Sequence, residues 1–277
     1  DYDRLYEFAY FFDGGRLVDG DDKLSSDWGE YSTKTREAVF YYDVRMRSPE
    51  RLIETDTLHY DTRTSVAHIT GKSKITSNQG IIYTDDGFFD SKQDKARLYN
   101  RSTVINEGKT IVGDSLYFDD NTGVAEGFGN VVYIDTQNRN ELRCGHLNYN
   151  KITGYGYATI DALLKDFSQE DTLYLHGDSI KLYTYDINTD SVYRVVHCFD
   201  KVRAYRTDMQ AVCDSLVFSS KDSCLTMYRD PIVWNAGRQM LGEKIMVFMN
   251  DSTVREAHVL GQAFSIEQLP DSIHYNQ

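Results

Sequence analysis

Four acidic residues, Asp27, Asp56, Asp85 and Asp114, stand 29 residues apart, and each opens a segment of one pattern: DWGEY, DTLHY, DDGFF and DSLYF. Other positions keep the same step. Tyr2, Tyr31, Tyr60, Phe89 and Phe118 form an aromatic column, and Ala9, Ala38, Ala67, Ala96 and Ala125 a column of small residues. Two places after each alanine come Phe11, Phe40, Ile69, Leu98 and Gly127, and a further apolar column holds Leu17, Met46, Ile75, Val104 and Tyr133. A chance match of one motif would not carry four columns in register. A fixed period of about 20–50 residues marks stacked supersecondary units, none of which can bury its apolar face alone. The chain therefore reads as an array of units.

After Asp114 the step loosens to 31, 33, 36, 29 and 28 residues, at Gly145 (GHLNY), Asp178 (DSIKL), Asp214 (DSLVF), Glu243 (EKIMV) and Asp271 (DSIHY). The expected organisation is one elongated array over residues 1–277. It has a partial unit at 1–26, units beginning near 27, 56, 85, 114, 145, 178, 214 and 243, and a partial unit at 271–277. Both ends fall inside a unit, as in a piece of a longer array.

The residues within a unit favour strands. Tyr (21) and Phe (13) are abundant and Pro (3) is scarce, which suits pleated, half-buried surfaces. In DSLYFDDNTGVAEGF the turn falls at Asp120–Gly123, because Asp, Asn and Gly supply the left-handed conformations that hairpins need. Pairing about that turn sets Phe118 opposite Ala125 and Leu116 opposite Gly127; in an earlier unit it sets Tyr60 opposite Ala67 and Leu58 opposite Ile69. Opposed residues share a face, so a large aromatic meets a small residue in a packed interior. The acid, the apolar residue and the aromatic sit two apart, which by period-2 alternation puts the acid on that face too. Gly129 and Asn130 mark a bend or bulge before Val131. The predicted fold is all-β: antiparallel hairpin units of about 29 residues, turned at corners into a flattened trough with the apolar columns inside.

Several functions are disfavoured. A net charge of -13 and a pI near 4.9 do not suit a nucleic-acid partner, which needs a basic stripe. No apolar run approaches the roughly 18 residues of a membrane-spanning helix, and no charged-then-apolar leader stands at Asp1, so the expectation is a soluble segment with any export signal outside it. Cys144, Cys198, Cys213 and Cys224 lack CxxC spacing, an even number that admits one or two disulfides but no evident zinc site. His59, His68, His146, His176, His197, His258 and His274 form no HxH or HxxxH pair. DINTDSVY, from Asp186, imitates a calcium loop, but Ser191 replaces the glycine and His197 the closing glutamate, so it reads as a polar hairpin turn. The acidic column is read as structural, since catalytic carboxylates would be unique positions. No GxSxG elbow, GxGxxG loop or Walker loop occurs. No catalytic residue, cofactor or metal is therefore expected. The least repetitive segments, Asp161–Asp171 and Tyr183–Arg206, read as inserts on one side of the array.

The unit GDSLYFDDNTGVAEGFGNVVY, together with HYDTRTSVAHITGKSKI from His59 and RCGHLNYNKITGYGYAT from Arg143, resembles the OstA-like family of lipopolysaccharide-transport proteins, most of all its long multi-unit members. The resemblance spans nearly the whole chain. It implies an open β-jellyroll, or β-taco, whose interior shields the acyl chains of lipopolysaccharide in the periplasm during outer-membrane biogenesis. It also implies exposed end strands that pair with other transport subunits or with further copies by β-augmentation. The lipid-lining residues would be Phe11, Leu17, Phe40, Met46, Leu58, Tyr60, Ile69, Ile75, Phe89, Leu98, Val104, Leu116, Phe118 and Tyr133, continued by Leu147, Tyr149, Ile180, Leu216, Phe218 and Ile245. The competing expectation is a structural or adhesion solenoid with a solid core.

Overall fold

The computed structural model describes residues 1–277 other than 79, 236, 251, 252, 269–274 and 277; the last acidic position, Asp271, lies outside the described residues. No helix occurs among them, and the strand registers are antiparallel throughout. The all-β expectation is met. Two compact units divide the chain, Asp1–Asn130 and Val131–Gln277.

In the first unit the corner decides the architecture. The strands Glu37–Arg47, Arg51–Asp61, Val66–Ser77 and Gly80–Asp90 pair in sequence order. Each pairing breaks register mid-strand, between Tyr41 and Val44, between Glu54 and Thr57, and between Thr70 and Ser73. The breaks coincide with left-handed backbone at Tyr42 and Asp43, and at Gly71. The same conformation recurs at Asp13 and Gly14, at Asn100 and Arg101, and at Gly129 and Asn130, each set 29 residues from the next. Such bulges bend a strand and reset which residues face in. The bend expected at Gly129–Asn130 is thus one instance of a device found in every repeat.

The corner also corrects the expected place of the acids. In Arg51–Asp61, Ile53 and Thr55 are buried before the corner and Leu58 and Tyr60 after it, while Asp56 is exposed; Asp27, Asp85 and Asp114 are exposed likewise. Alternation does not run through the bulge, so the acid sits on the outer side of the bend. Its backbone ties neighbouring corners together: Asp27 N–H donates to Tyr42 O and Asp114 N–H to Gly129 O, while Asp27 O accepts from Gly14 N–H. The Asp114 carboxylate receives Arg101 Nη1 at 3.1 Å and Asn130 Nδ2 at 2.8 Å.

Corners separate each repeat into two half-sheets, and both supply side chains to one apolar cluster. Along the first half the aromatic and small columns alternate in register: Tyr31 opposite Ala38, Ala38 opposite Tyr60, Tyr60 opposite Ala67, Ala67 opposite Phe89, and Phe118 opposite Ala125. The predicted pairs Leu58–Ile69 and Leu116–Gly127 are also present. Glycine in this ladder makes room: a Cβ on Gly29 would lie 2.8 Å from the Phe40 ring. The second half carries an aliphatic ladder through Leu17, Leu24, Met46, Ile53, Ile75, Ile82, Val104 and Ile111.

Hairpin turns form a further column. Asp3, Asp61, Asp90 and Asp119 each accept, through Oδ1, backbone N–H groups two or three residues on, the Asx geometry that favours turns. Successive turns then hydrogen-bond across the array: Thr33, Thr62 and Ser91 each donate backbone N–H and hydroxyl to Glu7 O, Arg36 O and Ser65 O respectively. Those acceptor residues lie in left-handed conformation.

The second unit repeats the device with longer strands, notably Leu173–Tyr185 and Tyr193–Arg206. Bulges fall at Ile160–Asp161 and Asp200–Lys201. The segments expected to be inserts are largely strand, because Asp161–Asp166 completes Gly156–Asp166 and Tyr193–Arg206 is strand throughout. Their extra length extends the hairpins. The sequence DINTDSVY joins two of these strands as a hairpin turn, with Thr189 Oγ1 donating to Asp186 O at 2.7 Å.

Two predictions follow from this geometry. Ala67 is 3% exposed between Tyr60 and Phe89, so Ala67→Leu should lower unfolding free energy by about 1–3 kcal/mol through overpacking, against under about 0.5 kcal/mol for Thr64→Leu at an exposed turn position; urea denaturation measures both. Asp61 is held down to about 2 by its hydrogen bonds with Arg63. A depressed carboxylate stabilises the fold above its unfolded value of 3.8 and loses that contribution as pH falls toward 2. The stability difference between the parent chain and Asp61→Asn should be full at neutral pH and shrink across that window.

Candidate functional site

The feature most suited to a function is the apolar interior. In residues 1–130, Phe40, Leu58, Ile69 and Leu98 are wholly covered and Met46, Tyr60, Ile75, Phe89 and Leu116 are at most 4% exposed. Leu17, Val104 and Phe118 are half-buried and pack against this cluster, together with Tyr31, Ile82, Ala96 and Ile111. Phe11 is also half-buried, its ring 6.4 Å from that of Phe40. The interior is thus a closed core with a partly covered margin.

In residues 131–277 the ladder is more aliphatic. Leu147, Ala158, Ile180, Cys198, Leu216, Met227 and Ile245 stand side by side. Ile180, Leu216 and Ile245 are buried, while Tyr133, Leu147 and Phe218 are half-buried. Tyr149 differs from expectation, at 38% exposed. It forms the last pair of its strand's register, opposite Gly156, which has no side chain to cover the ring. Burial, with Asp135 next, pushes the Tyr133 hydroxyl up to about 12.

Sequence reasoning missed the polar lining of the corners. Ser26, Thr55 and Thr84 point inward 29 residues apart, and Ser73 and Ser102 do so on the facing strands. Thr55 Oγ1 and Ser73 Oγ share a hydrogen bond of 2.7 Å, as do Thr84 Oγ1 and Ser102 Oγ. Ser26 and Thr84 also donate to the carbonyls of Trp28 and Asp86, each at 2.8 Å. Bulges free carbonyls from the ladder, and buried ones need partners. The signal was present, since a hydroxyl residue immediately precedes Asp27, Asp56 and Asp85.

In the second unit Cys144 and Cys213 take the place just before the opening residue of a repeat, whereas Cys198 stands in the ladder between Ile180 and Leu216 and Cys224 pairs with Ser219. Cys144, Cys198, Cys213 and Cys224 are buried and free, so no disulfide links them. Burial pushes the thiols of Cys198 and Cys213 up to about 12 and that of Cys144 to about 11. On the outer face, His68 Nε2 lies 3.0 Å from Asp86 Oδ1 and its ring stacks on Phe88. Neighbouring His59 titrates below the usual histidine range, first through burial and then through His68. Among the described residues no three His, Cys, Asp or Glu side chains come together as a metal site, and there is no helix long and apolar enough to cross a membrane.

Fold and interior define a β repeat array with an internal apolar column, and the comparisons narrow this. Residues 1–56 match the model of the family described as OstA-like protein. Over that stretch the resemblance read from the repeats is met. No curated protein matches the chain. A solved structure, "LptH, the LptA homologous periplasmic component of the conserved lipopolysaccharide transport device from Pseudomonas aeruginosa", is similar at 16% identity and a TM-score of 0.35, over 58% of this chain and 95% of that one.

The thiol geometry gives a direct test. A thiol-reactive dye at pH 8 should leave all four cysteines unmodified in the native chain and label four equivalents in denaturant, because all four are buried and burial raises the pKa of Cys144, Cys198 and Cys213.

Proposed function

We propose that the chain is a non-enzymatic carrier or bridge for lipopolysaccharide in the periplasm, the interior columns within each unit covering acyl chains. The observation that carries this reading is the in-register apolar ladder on both sides of every corner, joined to the OstA-like match over residues 1–56. Covering a chain methylene is worth about 0.8 kcal/mol, so a run of such rungs can hold a lipid against water without any single specific contact. Since Phe40, Leu58 and Ile69 are fully covered, lipid must part the two half-sheets, and the half-buried margin at Leu17, Val104, Ile111 and Phe118 is where parting would begin. Unpaired edge strands would join the array to other transport subunits or to further copies by β-augmentation.

A second reading, a structural scaffold with a solid core, is favoured by the same complete burial of Phe40, Leu58, Ile69 and Leu98. Photoreactive residues at Leu58, Ile75 and Leu116, with Thr62 in a turn as control, separate the two in cells. Crosslinks to lipopolysaccharide at the three interior sites and none at Thr62 are expected for a lipid path; no crosslink at any of them leaves the scaffold.

A further inference from the structure

The outer face of the first repeats carries an aromatic strip that interior packing does not explain. Phe8, Tyr10 and Phe12 alternate with the inward Ala9 and Phe11 and therefore face out. Their rings lie 6.0 and 6.2 Å apart at interplanar angles of 18° and 21°. Phe12 approaches Trp28 at 6.4 Å, Trp28 approaches Tyr41 at 4.9 Å, and Tyr41 approaches Tyr42 at 6.3 Å. Phe12 is 54% and Tyr42 62% exposed. Contiguous exposed apolar surface of this kind marks a binding site more often than chance.

Tyr42 strengthens the case. It occupies the corner position filled elsewhere by Asp13, Gly71, Asn100 and Gly129, with φ of 62°. Small or turn-forming residues suit that conformation, whereas a bulky one is strained there. A tyrosine kept in such a place, with its ring in solvent beside Tyr41, breaks the local rule without adding to the core.

We propose that this strip binds a neutral sugar chain. One carboxylate borders the rings: Glu30, two residues along from Trp28 on the same strand, lies opposite Tyr10 on one side and Val39 on the other. Ring faces pack on the apolar C–H face of a pyranose, and the carboxylate accepts hydrogen bonds from the hydroxyls at its edge. Other occupants fit less well. An anionic partner or anionic membrane would meet Glu30 and a chain of net charge -13, and a second copy laid face to face would bring two Glu30 carboxylates into one buried patch. The sugar site stands on the outer face and does not depend on lipid occupying the interior.

Trp28 makes the test optical. With Trp234→Phe as background, the full 277-residue chain is titrated with cellohexaose, maltohexaose, chitohexaose, a neutral delipidated oligosaccharide from lipopolysaccharide, and lipid A. Saturable change in Trp28 fluorescence with at least one of the sugars is expected, and the paired change Phe12→Ser with Tyr42→Asn should weaken it about tenfold or more, as truncation of stacking anchors does, with a melting temperature no lower than the parent's. Binding of the delipidated oligosaccharide alone would assign the source as a lipid-linked glycan, and binding of a hexasaccharide a free one. No response to any sugar overturns the proposal. So does a response to lipid A alone, or concentration-dependent dimerisation that the paired change abolishes, since these would put lipid or a second copy on the strip. None of these outcomes alters the interior crosslinks at Leu58, Ile75 and Leu116, so the two readings fail separately.

Discussion

The left-handed bulge at each corner is the constraint on which the rest of the molecule depends. It sets two residues against one on the neighbouring strand, Tyr42 and Asp43 against Asp56 and Gly71 and Lys72 against Asp85, bends the strand, and exchanges inward for outward positions. Without it, the strand Arg51–Asp61 would present Ile53 and Leu58 to opposite faces, and no common core could form. With it, both lie in one apolar cluster. Repetition at a fixed step aligns the bulges, and the acid backbones hydrogen-bond one corner to the next.

Three consequences stack on that alignment. The first-half ladder can alternate tyrosine or phenylalanine with alanine because each alanine is flanked by two aromatics from adjacent strands. Carbonyls released by the bulge are met inside by Ser26, Thr55 and Thr84, so the bend leaves no buried side-chain polar atom unpartnered among the described residues. Outside, the Asx turns stack through Thr33, Thr62 and Ser91, holding the hairpin tips in the register that the core demands. Core, corner and tip thus repeat together, which is why the period survives in sequence.

Much of this was legible before any coordinates. Tyr60 opposite Ala67 and Phe118 opposite Ala125 followed from a turn chemistry and a period of two, both local. The acids were misplaced because alternation was carried straight through the corner, where the bulge resets it. The buried hydroxyls escaped because serine and threonine beside an acid look like surface residues; only their 29-residue step marks them as a column. Segments near Asp161 and Tyr193 looked like inserts because their repeat is longer, yet lengthening a hairpin changes spacing as an insertion does. The pattern places Tyr149 in the interior, but its neighbour Gly156 cannot cover it.

Phe40, Leu58, Ile69 and Leu98 are so completely buried that function as a carrier requires the half-sheets to separate. Nitroxides on opposite half-sheets of the first unit, at the exposed positions Lys74 and Arg97, report that separation directly by double electron–electron resonance. Lengthening of the distance distribution on addition of lipopolysaccharide is predicted. An unchanged distribution at saturating lipopolysaccharide would contradict a lipid path through the interior and leave the columns as a solid core.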